Sequence, residues 1–470
     1  MTSTTHTHSS TTLLPGDPGW EAAVSGFDLS VEHRPDVVAL PRDADEVAEV
    51  VRAARADGLR VAVVGTGHGA PPGGPGTVLL RTEALDEVVV DPVGRVARIG
   101  GGARWRDVVE ACAPHGLAAL GGSSSGVGVV GYLLGGGFGP MVRTFGAAAD
   151  RVLAVELVDA NGTSVRLDAT HGADWFAALR GGGLAHGVIT AVEIELVAVR
   201  TVTAGGLWFD AADAGAVLAA WQAWTRDLPD TLTTSIARVN LPPDPALPEV
   251  LRGRALVHVR VVHVGDALDD EARRVADPEA AQALLAPLRA AACPLLDSVG
   301  VLPVTALDAV HQDPTGPMPV TEAGMLLDRL APETAEALLR VAAPQRGLPL
   351  ALVEVRLLGG ALDAPRGDVP FDAVRGRRSA AGIHAIAAPV PGLPPEVGTA
   401  AVDAVLEALA PWSGGGALPS FAGRGTASSA RIATAMGPDL LARLAAVQAT
   451  ADPDDVFAPA RRWDPAGSVR

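Results

Sequence analysis

The chain has no lysine: all 37 of its basic residues are arginines. That excludes a Schiff-base lysine, a pyridoxal-phosphate enzyme and a P-loop ATPase, each of which depends on the ε-ammonium. A bias towards Ala, Gly, Pro and Arg, as from a GC-rich coding sequence, accounts for the absence equally well. Cys112 and Cys293 are the only cysteines, too few for a disulfide framework, and so far apart they read as two buried thiols. No His-x-x-x-His or Cys-x-x-Cys pair occurs in the folded part, and His6 and His8 sit at the very start, so no metal site is expected. Apolar runs are short and broken by glycine, proline or charge, none of bilayer-spanning length. The first dozen residues, mostly Ser, Thr and His, lack both the basic start and the apolar core of a signal peptide. Residues 1–14 therefore read as a disordered tail, and the chain as cytoplasmic. A net charge of −17 with no basic cluster argues against nucleic-acid and anionic-membrane partners.

What is present is a large globular chain. Its 470 residues, 48% hydrophobic and 19% charged, suffice for two or more domains with their own cores. Glycine, at 54 residues, is concentrated informatively. Val61-Ala-Val-Val-Gly-Thr-Gly-His-Gly69 ends an apolar β-branched run in a glycine turn that holds His68. A second loop, Gly121-Gly-Ser-Ser-Ser-Gly-Val-Gly128, is followed by Leu133-Leu-Gly-Gly-Gly-Phe-Gly139. Glycine accepts positive φ and lets backbone N–H groups approach a phosphate, so paired loops of this kind suit a large anionic cofactor. Ordinary loop glycines are the plainer explanation.

Strand and helix signals alternate in the first third. Val47, Val50, Val51 and Ala54 fall on one face of a helix over 45–56, with acidic residues near its start. Strands are expected at 61–64 and 77–80, a hairpin at 85–90 with 96–99, a helix over 106–113, and strands at 151–158 and 164–167 around Asp159-Ala-Asn-Gly162. Asn161-Gly-Thr163 also fits a glycosylation sequon, a reading that needs a secretion signal. Beyond residue 200 the composition changes. Strands at 201–209, 254–264 and 353–358 and helices at 216–224, 271–291 (interrupted at Pro278 and Pro287) and 402–410 suggest a sheet covered on one face by helices. In the 254–264 run, Val257, Val259 and Val261 alternate with His258, Arg260 and Val262. No internal repeat is visible.

These motifs resemble the FAD-binding PCMH-type flavoproteins of the vanillyl-alcohol-oxidase and berberine-bridge-enzyme-like family. The likeness also rests on Arg34-Pro-Asp-Val-Val-Ala-Leu-Pro41, Glu46-Val-Ala-Glu-Val-Val-Arg52, Trp175-Phe-Ala-Ala-Leu-Arg-Gly-Gly-Gly183, Gly187-Val-Ile-Thr190, Arg443–Val447 and Asp452-Pro-Asp-Asp-Val-Phe457. It implies an α+β architecture: a two-subdomain FAD-binding fold over 15–200, a substrate domain with an antiparallel sheet covered by helices over 201–410, and a segment over 411–470 returning to the FAD domain.

The resemblance implies FAD attached covalently through its 8α carbon to His68. The cradle would be Val64, Gly65, Thr66, Gly67 and Gly69, then Gly122, Ser123, Ser124, Gly126, Gly128 and Val129, then Gly135, Gly136 and Gly137, with Val188 at the adenine and Phe421 near the flavin. Tyr132, the sole tyrosine, lies among the flavin loops and is expected to pack rather than catalyse. A second cysteinyl link, found in some relatives, is excluded by Ser123-Ser-Ser125. The implied activity is oxidation of a small-molecule alcohol, sugar or secondary metabolite by hydride transfer to flavin N5, with dioxygen or another acceptor.

Departures matter here. Relatives usually carry Gly-Asn-Phe-Gly where this chain has Leu184-Ala-His-Gly187, Asn-Tyr or Asn-Phe where it has Ser420-Phe421, and Tyr-Asp-Pro where it has Ala451-Asp-Pro453. Many use a tyrosine base, and none is spare. Glu354 and Arg356 alternate on an expected strand and so face one side, as an acid–base or substrate-anchoring pair. His258 with Arg260, His311 and His186 are further candidates, each more commonly structural. The alternative function is a non-redox cyclase or metabolite-binding pseudoenzyme on the same scaffold. The motifs specify neither substrate nor oligomeric state.

Overall fold

The computed structural model describes residues 12–183, 185–343, 347–390 and 392–458. Three sheets organise them. The first holds β1 (Thr12–Leu13), β2 (Val37–Ala39), β3 (Arg60–Val64) and β4 (Thr77–Arg81) in the order β1-β2-β4-β3, parallel except for β1. β1 takes the last residues of the expected tail into this sheet, pairing Thr12 with Ala39. Residues 1–11 lie outside the described residues. The helix Ala44–Ala56 covers the sheet, burying Val47, Ala48, Val51 and Ala54. Asp43 caps it by accepting from Glu46 N–H at 2.9 Å.

The second sheet is antiparallel: β5 (Val88–Asp91), β6 (Val96–Gly100), β7 (Val152–Val158), β8 (Ser164–Asp168) and β9 (Val188–Glu195), ordered β5-β6-β9-β7-β8. The β7–β8 turn closes as its sequence dictates: Gly162 has φ 71°, and Asp159 accepts from the amides of Asn161 and Thr163 at 2.8 Å each. The helix Trp105–Cys112 buries Trp105, Val108 and Cys112.

The third sheet is antiparallel and eight-stranded: β10 (Thr201–Asp210), β11 (Leu232–Asn240), β12 (Ala255–His263), β13 (Leu296–Asp297), β14 (Gly300–Pro303), β15 (Thr321–Leu327), β16 (Leu350–Leu357) and β17 (Ala381–Ala387). Its central order is β10-β12-β11-β16-β17-β15. One face carries Val257, Val259, Val261, Ile236, Val353, Val355 and Ile383, packed with Trp221, Leu285, Leu338 and Val402. Those partners come from the helices Ala214–Trp224, Pro278–Ala291, Pro332–Val341 and Pro395–Leu409. The opposite face turns towards the glycine loops, with Val202, Ala204 and Val262 in one core with Trp105, Tyr132 and Leu133.

Three expectations shift. The helix expected over 271–291 begins only at Pro278, capped by Asp277, because proline suits a first turn, and it runs through Pro287 without the expected interruption. β11 has no counterpart among the expected strands: Thr233, Thr234 and Ser235 hide it among polar residues, and β12 and β16 bury it from both sides. Cys112 is buried as expected, whereas Cys293 is exposed, just past the end of the helix Pro278–Ala291.

The chain then comes back. The helix run Thr426–Ala451, kinked at Gly437–Pro438, sets Leu444 into one core with Ala178. Val61 N–H donates to Val456 O and Ala458 N–H to Val61 O, both at 2.8 Å, so residues 456–458 join the first sheet beside β3. Among the described residues, no helix is long and apolar enough to cross a membrane, and no group of three or more His, Cys, Asp or Glu is arranged for a metal.

Candidate functional site

β3 runs directly into the first glycine loop, and the packing shows why its residues are small. Gly67 has φ 77°, and a Cβ there would lie 2.7 Å from Gly26 Cα. Phe27 N–H donates to Thr66 O at 3.0 Å and Asp28 N–H to Gly67 O at 3.3 Å. The carbonyls of Thr66 and Gly67 are thereby occupied. The amides are not: those of Gly65, Thr66, Gly67, His68 and Gly69 bond no protein group among the described residues.

The second loop repeats the pattern. Its carbonyls accept from the helix Trp105–Cys112, Trp105 N–H reaching Val127 O at 3.0 Å and Arg106 N–H reaching Ser125 O at 2.9 Å. Ser123 Oγ donates to Asp313 at 2.6 Å, and Ser125 N–H to Asp308 at 3.1 Å. The amides of Gly121, Gly122, Ser123, Ser124 and Gly126 remain without a protein acceptor among the described residues. Gly128 N–H donates to Thr66 Oγ1 at 3.4 Å, tying the loops together. Two joined loops presenting unbonded amides have the donor chemistry a pyrophosphate-bearing dinucleotide needs, with no lysine required. This donor set fits FAD.

Gly135, Gly136 and Gly137 follow the short helix Val129–Leu134, the last two with φ of 100° and 74°. A Cβ on Gly135 would meet Ser420 Oγ at 2.0 Å, which places the Ser420-Phe421 turn against this loop. Tyr132 packs edge-on to Trp105 at 5.3 Å and is buried. Its hydroxyl has no partner among the described residues, and burial pushes its phenol well above the usual range. Val129 and Val188 are fully buried, Val188 within β9. His186, buried with φ 49°, precedes that strand, and Leu184 lies outside the described residues.

His68 is held tightly for a loop side chain. Its Nδ1 lies 2.7 Å from Thr66 Oγ1, and Phe27 stacks on its ring at 3.8 Å and 13°. Burial first, then the charge of Arg104, pulls its pKa down to about 4, against the opposing pull of Glu322 and Asp28. The imidazole is therefore neutral near pH 7, with Nε2 lacking a protein partner among the described residues.

Opposite the loops stands the third sheet, whose inner face gathers charge. Cross-strand register places Ser235 beside both Arg260 and Arg356, and Glu354 beside His384. The Glu354 carboxylate, 1% exposed, accepts from Ser235 Oγ at 2.6 Å, Arg260 at 2.7 Å and Arg356 Nε at 2.8 Å, with His311 Nε2 at 3.5 Å. Burial opposes its ionisation, yet Arg356, Arg260 and His311 hold it well below the usual carboxylate range. Arg260 Nε donates to His258 Nδ1 at 3.1 Å, and His258 stacks on Trp208; burial keeps that imidazole neutral. Arg356 extends over the Phe421 ring at 4.7 Å and donates to Phe138 O at 3.3 Å. The His384 ring stands 5.0 Å from Phe421, its Nε2 2.8 Å from Glu322.

Glu354, Arg356, His258, Arg260 and His311 thus converge from β12, β16 and the short helix Asp308–His311, while His186 sits beside the five-stranded sheet. Sequence reasoning missed Phe27, Asp28, Ser235, Glu322 and His384. For the last pair a period-2 reading of β15 and β17 held the signal, but nothing local paired those strands.

Comparison with known proteins agrees with this geometry. Residues 35–168 match the family model described as an FAD binding domain. The chain is 29% identical over 475 aligned residues, 97% of each chain, to (R)-6-hydroxynicotine oxidase of Paenarthrobacter nicotinovorans. It is 32% identical to glucooligosaccharide oxidase of Sarocladium strictum over 38% of this chain and 36% of that one. The fold matches 6-hydroxy-D-nicotine oxidase from Arthrobacter nicotinovorans with a TM-score of 0.79 and 24% identity over 97% of both chains. It also matches a BBE-like protein of Physcomitrella patens with a TM-score of 0.80 and 19% identity, over 97% of this chain and 96% of that one. The chain thus carries an FAD binding domain, is similar along its length to a flavin oxidase of the FAD-binding PCMH type, and is an FAD-dependent oxidoreductase.

Proposed function

We propose that the chain attaches FAD through His68 and oxidises a small-molecule alcohol, sugar or amine-bearing metabolite, with dioxygen as electron acceptor. The observation that carries this reading is a neutral His68 whose Nε2 has no protein partner among the described residues, set in a loop whose amides are likewise unbonded among them. Residues 15–200 and 411–458 form the cofactor-holding unit and residues 201–410 the substrate unit. The amides of 65–69 and 121–126 take the pyrophosphate and ribityl groups, Gly135–Gly137 and Phe421 border the ring, and Val188 borders the adenine. Bound FAD supplies the two-electron oxidation of a substrate C–H bond.

The remaining work falls to side chains. Glu354 is ionised and saturated with donors, so it acts as an anchor: it fixes Arg356 above Phe421 and Arg260 beside His258. Arg356 binds the oxygen or nitrogen of the substrate. His384, oriented by Glu322 and less completely enclosed than Glu354, accepts the proton released there. The sugar-oxidase likeness covers only 38% of this chain, so it carries less weight for the substrate than a full-length likeness does. The full-length likeness to a hydroxynicotine oxidase favours an amine-bearing ring.

Acid precipitation tests the attachment. Yellow colour is expected in the pellet of the wild-type protein and in the supernatant of His68→Ala. Colour in the wild-type supernatant sinks the attachment. Hydrogen peroxide is then measured in air with (R)-6-hydroxynicotine, gluco-oligosaccharides and benzylic alcohols. Failure of every candidate to bleach the flavin anaerobically, while dithionite does, favours the non-redox scaffold instead.

A further inference from the structure

A charged knot sits beside His68 and has no part in the reading above. Asp28 is 1% exposed and its carboxylate is filled: Oδ1 accepts from Ser30 N–H at 2.9 Å, Ser30 Oγ at 2.7 Å and Val320 N–H at 3.1 Å, while Oδ2 takes the Arg424 guanidinium. Arg424 also reaches Ser30 Oγ at 2.7 Å. Three remote segments therefore meet at one carboxylate: residues 26–30, residues 318–320 and the turn three residues past Phe421. Backbone bonds extend the knot. Leu29 N–H donates to Met318 O at 3.0 Å and Met318 N–H to Phe27 O at 2.9 Å. From the other side Phe27 and Asp28 bond Thr66 and Gly67 of the His68 loop.

The residue between these anchorages is Phe27, whose ring lies flat on the His68 imidazole at 3.8 Å. With Nδ1 held by Thr66 Oγ1 and one ring face covered, His68 has little rotational freedom left, and Nε2 is the nitrogen left to react. We infer that the Asp28–Arg424 knot is a positioning device for flavin attachment: it clamps Phe27 on His68 so that Nε2 is aimed before the cofactor arrives. The inference rests on the His68 attachment proposed above. In that step the Nε2–C bond forms at the 8α carbon as one hydrogen leaves the methyl group and one leaves the imidazole. The accompanying two electrons pass through the ring system to dioxygen, which becomes hydrogen peroxide. Preorganisation of this kind raises the attachment rate without adding a contact to the cofactor, since misplacing a reacting atom by about 1 Å costs on the order of a hundredfold.

The test separates binding from attachment. Apoprotein is mixed with saturating FAD, binding is followed by quenching of flavin fluorescence, and acid-stopped samples report pellet-bound flavin over time. Asp28→Asn, Arg424→Met and Phe27→Leu should bind FAD like the wild type and attach it about tenfold or more slowly, whereas Arg424→Lys should recover most of the rate. Attachment at the wild-type rate in all of them overturns the inference, and so does loss of FAD binding, which would make the knot part of the cofactor site. Should Asp28→Asn fail to fold, Phe27→Leu decides alone, because it leaves the ion pair intact. A wild-type protein with no pellet-bound flavin, indistinguishable from His68→Ala, overturns both the attachment reading and this one. Wild-type attachment with unaffected variants overturns only this one.

Discussion

The two walls of the candidate site are built on opposite principles. The loop wall, residues 64–69 and 121–128, consists of main chain, most of whose amides have no protein partner among the described residues, and a side chain at Gly67 or Gly122 would crowd its neighbours. The sheet wall is almost wholly side chain, and its central carboxylate is saturated by Ser235, Arg260, Arg356 and His311. The first wall waits for a ligand to satisfy it. The second is finished before any ligand arrives. On the reading proposed above, the difference separates stability from affinity: folding energy is stored in the sheet wall and cofactor affinity in the loops.

The hardest way to break that division is Glu354→Gln. It removes the charge that two buried arginines share, and leaving such charges unpaired costs about 3–5 kcal/mol. Denaturant unfolding of the apoprotein should show that loss, and FAD should still bind to whatever remains folded. Glu354→Gln combined with Arg260→Met should be less destabilised than the single variant. There is also a pH signature. The folded-state pKa of Glu354 lies below its ordinary value, so its stability contribution is present above the unfolded value of about 4.3 and is lost as pH falls through the folded one. Wild-type stability should therefore decline on acidification below that value, with a shallower decline in Glu354→Gln.

Gly67→Ala attacks the other wall. The residue has φ 77° and would place its methyl 2.7 Å from Gly26 Cα. The backbone strain alone is worth about 1–2 kcal/mol, and the loop must shift to relieve the clash. We expect a modest loss of apoprotein stability, measured as the unfolding midpoint, and a larger loss of FAD affinity, at least tenfold by titration. Equal losses in both would show that the loops are as much a folding element as the sheet.

This division also decides how much was legible in the chain itself. The loop wall is written locally: Gly65-Thr-Gly-His68 and Gly121-Gly-Ser-Ser124 are contiguous, and a glycine turn after a β-branched run carries its own physical meaning. The alternation of Val257, Val259 and Val261 with His258 and Arg260 likewise gave the faces of β12 correctly. Spacing alone puts Glu354 and Arg356 on one side of their strand, and there they meet. What spacing could not supply is partnership. Ser235 and Arg260 reach Glu354 across sequence separations of 119 and 94 residues. His384 meets Glu322 across 62, and Asp28 meets Arg424 across 396. Each contact depends on strand order or on a loop crossing, neither of which leaves a local trace. β11 is hidden for a related reason, since its Ser235 reads as a loop residue until its hydroxyl meets the Glu354 carboxylate.

The smallest expected effect is the most discriminating. Tyr132 belongs to the loop wall yet resembles the sheet wall in being a buried side chain, and its hydroxyl has no protein partner among the described residues. In the apoprotein, replacing that hydroxyl by hydrogen removes a group that folding has stripped of water without compensation, so Tyr132→Phe should be neutral or slightly stabilising. In the FAD-bound protein the outcome depends on what the hydroxyl finds. If the cofactor supplies its partner, as it does for the loop amides, Tyr132→Phe in a His68→Ala background should weaken FAD binding by about 1 kcal/mol, roughly fivefold. Unchanged affinity would place Tyr132 with the finished side of the site, as packing for Trp105 and nothing more. Apoprotein stability and FAD affinity, measured on the same two variants, decide which wall it serves.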